Sequence, residues 1–287
     1  MSRGPLLWTI AAAALASSGY LAAQSGGAAI GVAASVIHDV KLSNAGAAKP
    51  NPVAVRQRIA LADLIQTGRA SQLQVLLLDR STFSVGANAV LRIDRFVYDP
   101  ARGRSSGASV ARGAFRFMSG QANRANNTTL ASPVATIGIR GTVLEGVVGE
   151  GAVAIARGQV AQVRDAKANK LTATLVVLRG PGRHTEAGTD VGEASISSGG
   201  VTVELTEPMQ AAYVPREGAA PIGPFRLSPA GVVELEDLIF PARVSGGFLN
   251  GLLKSLPSVL PGFGGSGNGK PQVYLPPIPP RPKPSGQ

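Results

Sequence analysis

Apolar and polar residues alternate in short runs along most of this chain, and the period is usually two. Leu73, Val75 and Leu77 interleave with Gln72 and Gln74, which puts the apolar set on one face of a strand. Phe83 and Val85 open another such run, and Phe115 and Phe117 flank Arg116 in the same way. Leu91 and Ile93 stand against Arg92 and Asp94, but Phe96 and Tyr98 then take up the opposite parity. One extra residue accounts for that switch, so the pattern predicts a β-bulge near Arg95. Farther on, Val201, Val203 and Leu205 alternate with Thr202, Glu204 and Thr206. Thr67-Gly68 and Asp79-Arg-Ser81 punctuate the runs with turn-forming residues.

The remaining segments extend this reading. Val36–Leu42 reads as a strand with His38, Val40 and Leu42 on one face, and Ala45–Pro52 as a loop. Ile59–Ile65 fits either a helical turn or a strand. Ala101–Ser109 reads as a basic loop and Gln121–Thr129 as an exposed polar one. Val143–Val148, Val153–Ile155, Gln159–Val163, Leu171–Leu178 and Ile196–Leu205 all read as strands, with further ones at Ala212–Val214 and Val232–Leu235. Short strands punctuated by glycine predict an all-β fold, an antiparallel β-sandwich or roll. Phe248, Leu249, Leu252, Leu253 and Leu256 instead recur at helical spacing, closed by Pro257. Gly262–Gly269 and the proline-packed Pro271–Pro284 read as a disordered tail. The organisation expected is a leader over 1–23, a strand and loop over 24–54, and a β-domain over 55–165. A β-rich extension over 166–245, a short helix over 246–256 and the tail over 257–287 follow.

The stretch that organises these parts is Ala131–Thr142, Ala-Ser-Pro-Val-Ala-Thr-Ile-Gly-Ile-Arg-Gly-Thr. Pro133 suits the first residue of a strand. Ile137 and Ile139 share one face, and Thr136, Gly138 and Arg140 share the other. Gly138 and Gly141 imply close packing against this strand, with Arg140 directed at a fixed partner. Two roles stand open for that guanidinium. It could recognise a carboxylate or phosphate through its planar fork of donors, or it could be an internal post that bonds carbonyls where glycines break the sheet. The flanking glycines favour the structural role, which predicts that Arg140→Ala lowers stability.

Pro133–Thr142 resembles the signature of the FecR domain, named after the periplasmic regulator of iron dicitrate uptake. Leu76–Leu91, Phe96–Pro100 and Gly113–Gly120 resemble the family's preceding motifs in the right order, so the resemblance spans roughly Val55 to Val163. The chain departs from the family pattern at Arg80, where glycine is common, and at Ala87, where proline is common. The resemblance implies a β-domain of the cell envelope and carries no catalytic residues. Pro133, Thr136, Gly138, Arg140, Gly141 and Thr142 are its motif positions, read as structural. Family members that span the membrane contact a sigma factor through a cytoplasmic segment. Only a few residues precede the apolar run here, so direct sigma-factor contact is not expected.

Composition changes this picture at a few points. The 287 residues are 44% hydrophobic, but only 5% aromatic, with 36 glycines and 21 prolines, a balance that favours strands and turns. The formal charge of +11 suits an anionic glycan or membrane surface, yet no run of five or six basic residues marks a nucleic-acid arm. No cysteine is present, which excludes disulfides and thiol chemistry. Arg3, the apolar run Pro5–Ala16 and the small residues ending at Ala23 read as a signal peptide, so a periplasmic or secreted protein is expected. The two histidines, His38 and His184, have no nucleophile or ligand partner at a telling spacing. Glu204, Glu207, Glu234, Glu236 and Asp237 read as solvated carboxylates rather than a glycosidase pair. The glycines of Gly146–Gly151 read as strand turns. No catalytic residue, cofactor or metal site is expected. The function expected is binding of an envelope protein or ligand, with an anionic-polymer scaffold as the alternative.

Overall fold

The computed structural model describes residues 27–44, 49–99, 103–120, 126–180 and 192–241. The chain divides into two compact units, Met1–Phe248 and Leu249–Gln287. The second unit, the expected leader, the helix read at Phe248–Leu256 and the proline-rich tail all lie outside the described residues.

Seventeen strands and three helices are described. They are β1 Ala29–Ile37, β2 Val40–Ser43, β3 Asn51–Pro52, β4 Arg58–Ala60, β5 Leu64–Thr67, β6 Gln72–Leu77, β7 Thr82–Val85, β8 Val90–Asp99 and β9 Gly103–Met118. There follow β10 Asn126–Ala131, β11 Thr136–Arg140, β12 Val143–Val148, α1 Glu150–Arg157, α2 Ala161–Arg164 and β13 Thr174–Gly180. The series ends with β14 Glu193–Ser198, β15 Val201–Leu205, β16 Gln210–Val214, β17 Ile222–Arg226 and α3 Pro229–Ile239.

The strands form two sheets packed face to face. The inner sheet runs β4-β1-β6-β7-β9-β12-β13-β16-β17. The outer sheet runs β3-β2-β5-β8-β9-β10-β11-β14-β15. All these pairs are antiparallel except β9–β10. The core between the sheets draws on residues from Ile30 to Val214, with Phe83, Phe115, Phe117, Ile137 and Ile139 buried in it. The other face of the inner sheet carries a second core. Val147, Leu175, Val177 and Tyr213 meet Ile155, Leu235 and Ile239 of the helices there. The described part of the first unit is therefore layered as outer sheet, inner sheet, helices.

Two glycines let the chain pass between sheets. β9 pairs with β8 and β10 through its first part and with β7 and β12 through its last. It turns at Gly113, whose φ is +87° and whose missing Cβ would sit 2.3 Å from Ala89 Cα. The second corner is the motif itself. β11 ends at Arg140 in the outer sheet and β12 begins at Val143 in the inner one. Gly141 between them adopts φ +56°, a left-handed conformation costly to other residues. Buried Thr142 fastens the corner: its carbonyl accepts from Ser119 N–H at 3.1 Å, and its N–H donates to Ser119 Oγ at 3.3 Å.

The mainly-β sandwich follows the sequence pattern, and so does the bulge. Ile93 pairs with Ala108 and Arg95 with Gly107, leaving Asp94 as the extra residue. Arg80 takes φ +64°, so the turn is built in the conformation a glycine favours. Ala87 donates its N–H to Leu238 O at 2.9 Å, a bond that proline cannot make, and thereby ties the turn to the end of α3.

Several local readings need correction. Val153–Ile155 and Gln159–Val163 lie in the α1–α2 region, because Ala152, Ile155 and Ala156 recur at helical spacing and bury together. Helix α1 starts directly after Gly149, so the Gly146–Gly151 glycines lead into a helix. Val232–Leu235 belongs to α3: the Ser228 hydroxyl caps it, accepting from Gly231 N–H at 3.1 Å, with Pro229 in its first turn. Ile196–Leu205 is a hairpin, β14–β15, turned by Gly199-Gly200. The strand read across Val36–Leu42 breaks at His38, where φ is +56°. Ile59–Ile65 holds β4, a turn and the start of β5. The loops read at Ala101–Ser109 and Gln121–Thr129 contain the starts of β9 and β10. Pro133 lies in the four-residue loop of the β10–β11 hairpin, and the strand begins at Thr136. Among the described residues, no helix is long and apolar enough to cross a membrane.

Candidate functional site: the open face of the outer sheet

Because Ile137 and Ile139 point into the core, Thr136, Gly138 and Arg140 face away from it. The same alternation across neighbouring strands builds one continuous row. Arg95 pairs with Gly107, Gly107 with Thr129, Thr129 with Gly138, Gly138 with Ser195, and Ser195 with Glu204. Six strands thus contribute one residue each to a line that crosses the sheet, roughly 24 Å long at about 4.8 Å per strand.

Gly138 lowers the middle of this line into a groove of about 490 Å³. The Arg95 side chain lies over Gly107: a Cβ there would be 3.5 Å from Arg95 Cβ and 3.7 Å from its Nε. At Gly138 a Cβ would come within 2.6 Å of Ser195 Oγ, so this glycine makes room for a neighbouring hydroxyl. On one side of the row stand Ser109, Thr136, Ser197 and Thr202, the last two linked through their hydroxyls at 2.8 Å. On the other side Arg140 pairs with Glu193 directly across the strands, Nη1 to Oε1, at 3.2 Å.

Charge on this face is balanced. Arg140 and Glu193 form one pair. Asp94, the bulged residue, accepts from Arg92 Nε at 2.5 Å and from the Ser109 hydroxyl. Arg95 and Glu204 stand exposed at opposite ends of the row. The arrangement offers hydroxyls, backbone and charges of both signs, and a groove floor without large side chains.

The motif residues thus separate into two groups. Gly138 and Arg140 line the groove, with Thr136 beside it, whereas Gly141 and Thr142 form the corner between sheets and Pro133 the hairpin loop. Arg140 is 66% exposed along its side chain and its partner is a carboxylate, so it is not an internal post for carbonyls. His38 Nδ1 donates to Ala70 O, 2.7 Å away, far in sequence from every groove residue, and His184 lies outside the described residues. Glu204 lines the groove. Glu234, Glu236 and Asp237 sit on α3 rather than on a strand.

Sequence reading passed over Glu145, which the structure makes the centre of a charged cluster. It is wholly buried on β12 and ion-paired with Arg116 of β9 and Arg179 of β13. Arg116 Nε donates to Oε1 at 2.6 Å, and Arg179 Nε lies 3.4 Å from Oε2. Arg179 Nη2 also donates to Glu236 of α3 at 2.5 Å, and the Arg116 guanidinium stacks 4.6 Å from the Phe240 ring centre. This cluster pins α3 to the inner sheet. Its signal in the sequence was a lone carboxylate within the apolar run Val143–Val148. A second cavity, about 370 Å³, opens at the N-terminus of α1 between Arg112, Lys170, Leu171 and Leu238. No group of three or more His, Cys, Asp or Glu able to hold a metal occurs among the described residues.

Comparison with known proteins bears on this scaffold. Residues 63–161 match the family model described as FecR protein. Two crystal structures of a "putative anti-sigma factor" from Parabacteroides distasonis are distantly similar. One is 12% identical over 55% of this chain and 57% of its own, with a TM-score of 0.37. The other is 10% identical over 62% and 74%, with a TM-score of 0.39. The chain therefore spans little more than half the length of the first of these. No curated protein matches. The segment that supplies the motif, its corner and the groove's β8–β11 side thus falls within the stretch, residues 63–161, that matches the FecR family model.

Proposed function

We propose that this chain is a non-enzymatic binding module of the cell envelope, whose FecR domain presents the open face of the outer sheet to a protein partner or ligand in signalling or assembly. The observation that carries this reading is an asymmetry between the layers. The far face of the inner sheet is covered by α1, α2 and α3, which bury an apolar core against it. The far face of the outer sheet carries a groove, and its exposed residues on β8, β9, β10, β11, β14 and β15 are mostly polar, with Val97 and Ala131 among the apolar exceptions. The signal-like N-terminus and the FecR match support the envelope as its address. An anionic polymer suits this groove less well, because Glu193 and Glu204 line it together with the arginines.

Filling the groove tests the proposal. In Gly138→Leu the new side chain first meets the Ser195 hydroxyl, a movable group, so the fold is retained. Affinity capture from envelope extract with the full chain is expected to recover a saturable partner, and the variant to lose it without loss of the circular dichroism melt. Equal capture by both proteins would place binding elsewhere and overturn the assignment.

A further inference from the structure

Building on the binding face just proposed, we infer that its partner is a second copy of this chain, docked face to face about a two-fold axis parallel to the strands. The reasoning starts from the order of the row, Arg95–Gly107–Thr129–Gly138–Ser195–Glu204. Lay a second outer sheet on the first, with the axis midway between β10 and β11, and the row meets itself reversed. Arg95 of each copy then faces Glu204 of the other. Gly107 faces Ser195, and Thr129 faces Gly138. The residue opposite each glycine is short and hydroxyl-bearing, so no two long side chains are opposed in the middle of the row, and both exposed end charges meet their opposites.

The flanking rows obey the same operation. Ser109 meets Ser197, Thr136 meets Ala131, and the Arg92–Asp94 pair meets Thr202. On the other flank Ser105 meets Glu193, while the Arg140–Glu193 pair stays intact in each copy. No like charges are brought together. The alternative two-fold, along the row itself, would place Arg95 on Arg95 and Glu204 on Glu204, so the charge pattern selects one axis. Small side chains on both faces let the sheets approach closely, and twisted sheets pack in this aligned way. Six strands by three rows cover an area on the order of 500 Å² per copy, roughly 1,000 Å² in all, which suits a weak, reversible dimer. An isologous interface of this kind is the commonest route to a homodimer.

Charge reversal provides the test. Sedimentation equilibrium of the full chain, from micromolar to submillimolar concentration, is expected to show a monomer–dimer equilibrium. Arg95→Glu and Glu204→Arg each create two like-charge contacts per dimer and should weaken association on the order of 100-fold. The double variant Arg95→Glu/Glu204→Arg restores both contacts with the signs exchanged and should recover association to within about threefold of the parent. All variants are checked for an unchanged melt. A chain that stays monomeric, a dimer indifferent to either single reversal, or a double variant as weak as the singles would each overturn the inference. The broader binding-face reading fails separately. A monomeric chain that still captures an envelope partner, and loses it on Gly138→Leu, keeps that reading while the self-association falls.

Discussion

Glu145→Gln is the substitution that most severely tests how the layers are held together. Glu145 is 0% exposed, and it lies between Arg116 and Arg179, whose side chains are 25% and 21% exposed. The glutamine keeps the shape and one acceptor oxygen but removes the charge, leaving two guanidinium groups with only Glu236 between them. Breaking a buried ion pair by removing one partner costs about 3–5 kcal/mol. Both arginines keep some contact with water, so the low end, about 3 kcal/mol, applies here. For a domain of this size that corresponds to a fall in Tm of about 6–12 °C, read by circular dichroism or urea unfolding. Glu236, at 33% exposure, should cost about 1 kcal/mol or less when changed to Gln. The pair Glu145→Gln and Arg179→Met should be non-additive by about 1–3 kcal/mol, since both remove the same contact. If Glu145→Gln melts within about 2 °C of the parent, the carboxylate is not held by charge, and the account of how α3 is fastened is wrong.

The remaining expectations concern the motif and pH. Arg140→Ala removes an exposed cross-strand pair worth about 0.2–1 kcal/mol, so its effect on the melt is small, whereas Gly141→Ala forces φ +56° on a residue with a Cβ and costs about 1–2 kcal/mol. A larger loss from Arg140→Ala than from Gly141→Ala in the same melts would reverse this ranking. Burial pushes the Tyr213 hydroxyl up to about 12 from its ordinary value of 10.0. The folded state therefore resists its ionisation: the stability it contributes is complete below pH 10 and is lost as pH rises through about 12, a loss that Tyr213→Phe should abolish in alkaline unfolding curves. Burial likewise raises the Asp63 carboxyl above 3.8, opposed by the N–H of Ala60, which donates to it at 2.7 Å. Its contribution is greatest at acid pH and falls as pH rises through the raised value, so the stability of Asp63→Asn relative to the parent should increase from pH 4 towards neutrality; a pH-independent difference would contradict this.

How much of this was legible in the sequence depended on how many residues each signal engaged. The inter-sheet core was readable because Leu73, Val75, Leu77, Ile137 and Ile139 recur at every second position over whole strands of five or six residues. The bulge at Asp94 was readable because a single inserted residue flips the parity of every side chain after it. Runs of three or four residues carried no such redundancy. Val153–Ile155 and Val232–Leu235 fit either period, and only tertiary burial of Ile155 and Leu235 against the inner sheet decides for helix. The Ser228-Pro229 start of α3 was a local signal that could have been weighed. The groove could not have been found from sequence, since Gly107, Gly138 and Ser195 are aligned by the register of non-local strands. The glycines around Arg140 suggested close packing, but only Gly138 has a near neighbour, the Ser195 side chain; Gly141 faces open space and is required instead by its φ of +56° at the corner, while the guanidinium turns outward to Glu193.

The most direct test of the binding face is site-specific photocrosslinking in cells producing the full chain, with the reactive side chain at Thr129 in the groove or at Leu171, 74% exposed on the helix-covered side near α1. The account predicts a discrete crosslinked product from Thr129, lost on Gly138→Leu, and none of the same mass from Leu171. Products of equal yield and mass from both positions, or none from Thr129, would contradict it.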